Sequence, residues 1–64
     1  MIINKSNADA WGVAVTDKDG PVPFTEIDTV KGVVSIEVDG EALEAPLAEF
    51  EVSGLDHYVL INGF

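Results

Sequence analysis

The chain has 64 residues, no cysteine and a formal net charge of −9, from twelve carboxylates and three lysines. This length suits one small domain, 1–64, and the absence of cysteine excludes a disulfide framework and a thiolate metal site. With so little positive charge, direct binding of nucleic acid is disfavoured, since phosphate contacts need cations. We expect a cytoplasmic protein, because the N-terminal residues lack a signal-peptide pattern and no apolar stretch has the length of a membrane span.

The negative charge is concentrated in the second half of the chain. Residues 1–31 hold five acids and all three lysines, a net charge of −2. Residues 32–64 hold seven acids and neither lysine nor arginine, a net charge of −7. Charge repulsion of this size opposes compact folding, which suggests that the charge has a use. The simpler alternative is that it only keeps a small protein in solution.

The first half of the chain is predicted to form short strands joined by turns. Residues 2–3 begin a short strand, and the polar residues 4–9 favour a turn. Residues 10–16 alternate large and small side chains, which is typical of a strand. Residues 17–20 have the composition of a turn, and two prolines make residues 21–24 an edge strand or an irregular connection.

Residues 25–32 are predicted to form a single helical turn. Thr25 and Asp28 resemble a capping box with Asp in place of Glu. Lys31 suits the C-terminal end of a helix, and Gly32 suits the position that follows it. Such a short helix needs support from a neighbouring sheet.

The clearest structural signal is a hairpin within residues 33–46. Val34, Ile36 and Val38 alternate with polar residues, as in a strand with one buried face. Asp39-Gly40 follows, and this pair favours a two-residue type I′ turn, in which both residues have positive φ. We therefore predict two antiparallel strands joined at this pair.

A two-residue loop also sets the register of the hairpin. Ile36 lies opposite Leu43 on one face, whereas Glu37 and Glu44 occupy the other face. The hairpin thus has an apolar inner face and an acidic outer face. The predicted pairs are Val38–Glu41, Glu37–Ala42, Ile36–Leu43, Ser35–Glu44 and Val34–Ala45.

The rest of the chain is predicted to add two strands. Pro46 ends the pairing, and apolar residues then alternate with Glu49 and Glu51. On one strand these two carboxylates would lie about 6.8 Å apart on the same side. A brief turn over residues 46–49 is an open alternative. Residues 57–62 are largely apolar and are predicted to form a final, central strand.

These elements predict a mainly β fold, with four to six short antiparallel strands and one short helical turn. The expected architecture is a small, partly closed barrel or a rolled sheet. The chain order is a strand, a long connection with a turn, an Asp-Gly hairpin, a Pro-Leu-Ala-Glu-Phe kink and a last strand. This order resembles the outline of SH3-like barrels.

No residue pattern indicates catalysis, a cofactor or a metal centre. His57 is the only histidine, and no serine or threonine lies in a nucleophile motif. An EF-hand loop ending at Glu26 would use Asp17 and Asp19, but its first position would be Val15 and its flanks are predicted strands. We therefore expect a protein that is not an enzyme and has no cofactor, with a divalent cation at the acidic turn as a weaker alternative.

The first functional hypothesis is an inhibitor that imitates nucleic acid. Rows of carboxylates would be attracted to a basic nucleic-acid-binding protein and would occupy its binding surface. Small acidic proteins of this kind include phage-encoded anti-restriction and anti-CRISPR proteins, which are comparable in size and charge. The oligomeric state, monomer or dimer, is left open. The residues predicted to bind the partner are Glu37, Asp39, Glu41, Glu44, Glu49 and Glu51.

The second hypothesis is a structural module of a virion or a multi-subunit complex. It would dock through apolar edge strands and the region of Trp11, and the acids would serve only solubility. Salt separates the two hypotheses, because electrostatic binding weakens steeply with ionic strength and apolar docking does not.

Overall fold

The computed structural model describes residues 1–63, so Phe64 lies outside the described part of the chain. The elements in chain order are β1 (Ile2–Asn4), α1 (Lys5–Trp11), β2 (Ala14–Asp17), β3 (Gly20–Pro21), β4 (Phe24–Asp28), β5 (Val33–Val38), β6 (Glu41–Pro46), a 3₁₀ turn (Leu47–Glu49), β7 (Glu51–Ser53) and α2 (Leu55–Asn62).

In the described part of the chain, seven strands form two antiparallel sheets. The larger sheet has the order β1-β4-β5-β6, and the smaller has the order β3-β2-β7. Neither sheet closes into a barrel, and the mainly β class with a rolled sheet is confirmed. The described residues contain two helices and one 3₁₀ turn where a single helical turn is predicted. The segment 21–24, predicted as an edge strand or an irregular connection, contains the end of the two-residue strand β3 at Pro21, an irregular connection over residues 22–23 and the first residue of β4.

The core lies on the inner face of the larger sheet. Ile3, Ile27 and Val34 pair across β1, β4 and β5, and all three are fully buried. Val15 from the smaller sheet and Tyr58 from α2 belong to the same buried cluster. Burial of an aliphatic side chain contributes about 1.5–3 kcal/mol, so this row is a main source of stability.

The β5–β6 hairpin forms as predicted. Its five predicted residue pairs are all present, and a sixth joins Val33 to Pro46. Asp39 has φ +52° and Gly40 has φ +82°, as a type I′ turn requires. β6 is the last strand of the larger sheet, and within residues 1–63 no strand pairs with its outer side.

The helical turn predicted over residues 25–32 is wrong for its first part, which belongs to β4, and only residues 28–32 close a turn, where the Gly32 N–H donates to the Asp28 carbonyl at 2.9 Å. Phe24 and Ile27 are both buried, at a spacing of three residues that resembles helical periodicity. A β-bulge causes this spacing, since one extra residue lies between Phe24 and Glu26. Beyond the bulge, Glu26 pairs with Ser35 and the alternation of a strand resumes.

Helix α1 replaces the turn predicted over residues 4–9. The Asn4 side chain caps it by accepting a hydrogen bond of 2.9 Å from the backbone N–H of Asn7. Gly12 ends the helix with φ +71°. Strand β2 therefore begins only after Val13, later than the predicted residues 10–16.

Helix α2 replaces the strand predicted over residues 57–62. It begins after Gly54, which has φ +78° and packs against the backbone of Gly12. Tyr58 is the buried residue of the helix, and its ring meets the Trp11 ring edge-on, with centroids 6.2 Å apart. An almost continuously apolar segment fits a strand or a helix equally well, and this packing selects the helix.

Candidate partner-binding surface

Three glutamates lie on the outer face of the larger sheet. Glu26, Ser35 and Glu44 pair in one row across β4, β5 and β6, and Glu37 lies two residues beyond Ser35 on β5. Val34 faces the core, so its neighbours along β5 and their cross-strand partners face outward. Neighbouring strands lie about 4.8 Å apart, which places Glu26 and Glu44 about 10 Å from each other. We call Glu26, Glu37 and Glu44 the acidic face.

No ion pair neutralises the acidic face. Within residues 1–63 one ion pair is present, between the Lys5 Nζ and an Asp9 carboxylate oxygen at 3.2 Å. The same Nζ lies 4.8 Å from the centre of the Phe24 ring, a cation–π contact. In this part of the chain, none of the three glutamates is therefore held in an ion pair.

The structure brings together only part of the predicted site. Glu37 and Glu44 belong to the acidic face, and Asp39 lies close by in the turn that joins β5 to β6. Glu41 pairs with Val38 and therefore faces the opposite side of the sheet. The hairpin thus carries carboxylates on both of its faces.

Glu49 and Glu51 lie away from the acidic face, and the prediction that they share one strand is wrong. Glu49 ends the 3₁₀ turn, and Glu51 begins β7 in the smaller sheet. The alternative of a brief turn is confirmed. The Leu47 N–H donates to the Gly32 carbonyl at 2.9 Å, and the Phe50 N–H donates to the Leu47 carbonyl at 3.1 Å. These bonds bend the chain between the two sheets.

Sequence reasoning missed Glu26 as a surface carboxylate of the sheet. The helical interpretation of residues 25–32 separated it from the hairpin acids. A signal was available in the sequence, because Glu26 and Asp28 are two residues apart and residues i and i+2 lie on the same face of a strand. The bulge after Phe24 obscured that signal by interrupting the alternation.

The Asp28 carboxylate serves the turn after β4. Its Oδ1 accepts hydrogen bonds of 3.0 Å from the backbone N–H groups of Val30 and Lys31. The N–H of Lys31 is the largest cause that lowers the pKa of Asp28, and the Val30 N–H and the Lys31 charge act in the same direction. Partial burial opposes them. The Asp28 carboxylate therefore stabilises this turn, and we do not include it in the acidic face.

A shallow cleft of about 420 Å³ opens between α1, the start of β4 and the hairpin turn. Its lining combines the Lys5 cation and the Glu37 and Asp39 carboxylates with the apolar ring of Phe24. The cleft extends the charged surface to the end of the hairpin. Its lining residues are Lys5, Pro23, Phe24, Thr25, Glu37, Asp39 and Gly40.

The inner face of the hairpin extends beyond the core. Ile36 is partly buried, whereas Val38 and Leu43 are 47 % and 51 % exposed. The register places all three on the face that Val34 uses to contact the core. We call Ile36, Val38 and Leu43 the apolar strip. Its two exposed members leave aliphatic surface uncovered at the end of the hairpin.

The residues considered for catalysis and for calcium lie apart from the acidic face. His57 is exposed on α2. The Asp17 carboxylate accepts a 2.8 Å hydrogen bond from the Asp19 N–H, which shapes the turn between β2 and β3. Both flanks of that turn are strands, where an EF-hand requires helices. Within residues 1–63 no three potential ligand side chains are grouped around a common point.

No family model, no curated protein and no solved structure matches this chain. In the described residues, neither helix combines the length and the hydropathy needed to cross a bilayer. The function proposed below is therefore derived from the surface of the protein itself.

Proposed function

We propose that this protein is a non-enzymatic inhibitor that occupies a basic nucleic-acid-binding surface of a partner protein. The observation that carries this function is the acidic face, where three glutamates lie on one side of a sheet and none forms an ion pair within residues 1–63. Asp39 and Glu41 add charge at the end of the same hairpin. In this function the carboxylates stand in for the phosphates of a polynucleotide.

The physical basis is a fixed array of like charges. Glu37 is a diagonal neighbour of both Glu26 and Glu44, at about 7–8 Å, and Glu26 and Glu44 lie about 10 Å apart across two strand spacings. Their backbones are held by the ladders on both sides of β5, so little order has to be gained on binding. A groove lined with lysine and arginine would attract such an array over long distances and bind it rapidly at low salt.

The proposed setting is the cytoplasm, where nucleic-acid-binding enzymes and defence complexes act. Phage-encoded anti-restriction and anti-CRISPR proteins combine small size with strong negative charge, and a role of that kind is the one we favour. No direct contact with nucleic acid is proposed, because the net charge of −9 would repel it.

The test begins with capture of partners by the immobilised protein from a bacterial lysate at low salt, followed by a salt gradient. Captured proteins are then assayed for binding of a labelled oligonucleotide, with the acidic protein as competitor. We expect competition, and we expect the double variant Glu37→Lys with Glu44→Lys to compete about tenfold less well, a loss of about 1.4 kcal/mol.

A matched control is the double variant Glu49→Lys with Glu51→Lys. It changes the net charge by the same amount on a surface outside the acidic face. Equal losses in the two double variants would mean that only net charge matters, and unchanged competition in both would contradict the proposed function.

A second candidate function is an assembly module that docks through apolar surface. It is favoured by the apolar strip and by Trp11, which is 39 % exposed. In that case the partner would be retained at high salt, and Leu43→Ser would release it while the charge variants would not.

A further inference from the structure

The outer edge of β6 offers unpaired backbone groups whose positions follow from the hairpin turn. In a two-residue type I′ hairpin, the pair that closes the loop exchanges both backbone hydrogen bonds, and here that pair is Val38 and Glu41. Along an antiparallel strand, the backbone N–H and C=O groups of successive residues point alternately toward the partner strand and away from it. The N–H and C=O groups of Ala42 and Glu44 therefore point away from β5, toward the free edge.

The other edge of the larger sheet is much less available. β1 has three residues and leads directly into α1, which packs against it. β6 has six residues, of which only Ala45 is even partly buried. Short strands and covering helices are common ways to protect an edge, and β6 has neither.

The two faces beside this free edge differ in chemistry. Glu44 lies on the acidic face and belongs to the edge strand itself. Glu37 lies one strand further in, opposite Ala42, so only the methyl group of Ala42 stands between Glu37 and the edge. On the opposite face Leu43 borders the edge and continues into the apolar strip, with Glu41 two residues nearer the turn. A strand added to β6 would therefore place alternate residues against carboxylates and against aliphatic side chains.

We propose that the edge of β6 binds an extended segment of the partner in which lysine or arginine alternates with aliphatic residues. The backbone of the segment would bond to Ala42 and Glu44, as in β-strand addition. Its cationic side chains would reach Glu44 and, over Ala42, Glu37, while its aliphatic side chains would cover Leu43. This inference rests on the proposed function, since it specifies how the basic surface of the partner is held.

Charge complementarity favours a cationic strand over a second copy of this chain. Two copies would bring together two chains of net charge −9. If two β6 strands paired with Leu43 opposite Leu43, the two Glu44 side chains would be diagonal neighbours, which is unfavourable. Pro46 also lacks the N–H that a longer self-paired ladder would use.

The test uses a labelled synthetic peptide of about seven residues in which lysine alternates with valine, and fluorescence polarisation at low salt. We expect this peptide to bind about tenfold more tightly than a peptide of the same composition with its lysines and valines in separate blocks. N-methylation of the alternating peptide on the residues that face the edge leaves its charge unchanged, and we expect about tenfold weaker binding.

The matched protein variant is Ala42→Pro, which removes an outward N–H without changing charge or the bonds between β5 and β6. We expect about tenfold weaker binding of the alternating peptide. Hydrogen exchange tests the same site without mutation. The amides of Ala42 and Glu44 should exchange rapidly in the free protein and slowly in the complex, whereas those of Glu41 and Leu43 should be protected in both.

The failure of this inference can be distinguished from the failure of the proposed function. If Glu37→Lys with Glu44→Lys weakens partner binding but Ala42→Pro and N-methylation have no effect, the acidic face binds without strand addition and this inference is wrong. If light scattering shows a dimer that grows with salt and is lost in Ala42→Pro, the edge binds a second copy, which also overturns it. Slow exchange of the Ala42 and Glu44 amides in the free monomer would show that these groups are not available at the edge, and this inference would be wrong.

Discussion

Gly54 packs so closely against Gly12 that a side chain at position 54 has no space. A Cβ at Gly54 would overlap the carbonyl oxygen of Gly12. This contact joins the residue that ends α1 to the residue that begins α2. The two helices are thereby held at one point of the backbone, although they are separated by most of the chain.

We predict that Gly54→Ala is strongly destabilising. The substitution combines a positive φ of +78° with an overlap against backbone that cannot rotate away. Together these effects should lower the free energy of unfolding by roughly 3 kcal/mol or more. Urea denaturation followed by circular dichroism measures this loss.

The control for that prediction is Gly32→Ala. Gly32 has a similar φ of +69°, but a Cβ there would meet no atom within 4 Å. We expect a loss of about 1 kcal/mol from backbone strain alone. Equal losses at Gly54 and Gly32 would show that the contact with Gly12 does not constrain the fold.

A second prediction concerns acid stability and Asp28. The backbone N–H of Lys31, with that of Val30, lowers the pKa of this carboxyl below its ordinary value of 3.8. A carboxyl with a depressed pKa in the folded state stabilises the protein above the unfolded-state pKa and loses this contribution as pH falls through the folded-state pKa. Asp28→Asn keeps an acceptor oxygen but does not titrate.

The measurement is the free energy of unfolding of both proteins between neutral pH and about pH 2. The advantage of the wild type over Asp28→Asn should be constant at neutral pH and should disappear in the acid range. A difference that does not change with pH would show that the hydrogen bonds to Val30 and Lys31 do not depend on ionisation.

The third prediction separates the turn from its charge. Asp39 has φ +52°, a conformation that Asn adopts readily and β-branched residues do not. Asp39→Asn should leave stability within about 0.5 kcal/mol, whereas Asp39→Val should lower it by about 1–2 kcal/mol. If Asp39 contacts the partner, Asp39→Asn should weaken competition with the oligonucleotide, while its thermal denaturation stays unchanged.

The fourth prediction separates the core from the apolar strip. Ile27 is fully buried, so Ile27→Val should lower the free energy of unfolding by about 1 kcal/mol. Leu43 is 51 % exposed, so Leu43→Ala should lower the free energy of unfolding by less than Ile27→Val does. The alternating peptide should nevertheless bind Leu43→Ala more weakly than Ile27→Val. The reverse order in peptide affinity would indicate that the strip is not a contact surface.

The β5–β6 hairpin of the larger sheet is predictable because its signals are local. The register of the hairpin follows from Asp39-Gly40 and from the alternation on both sides of that turn, which act within a few residues. The same alternation places Glu37 and Glu44 on one face. The helix at α1 also has a local signal, the Asn4 cap, but Ala8 is its buried residue, so no apolar periodicity accompanies it.

Local residue patterns are sufficient to specify a mainly β chain, its central hairpin and the excess of negative charge in the second half. Three further features arise from contacts made in the folded chain. The bulge after Phe24 placed Glu26 beside Ser35, the contact of Gly54 with Gly12 accompanied a helix where a strand was expected, and a 3₁₀ turn moved Glu51 to the smaller sheet. Each depends on pairing or packing between residues far apart in the chain, which short-range patterns do not encode.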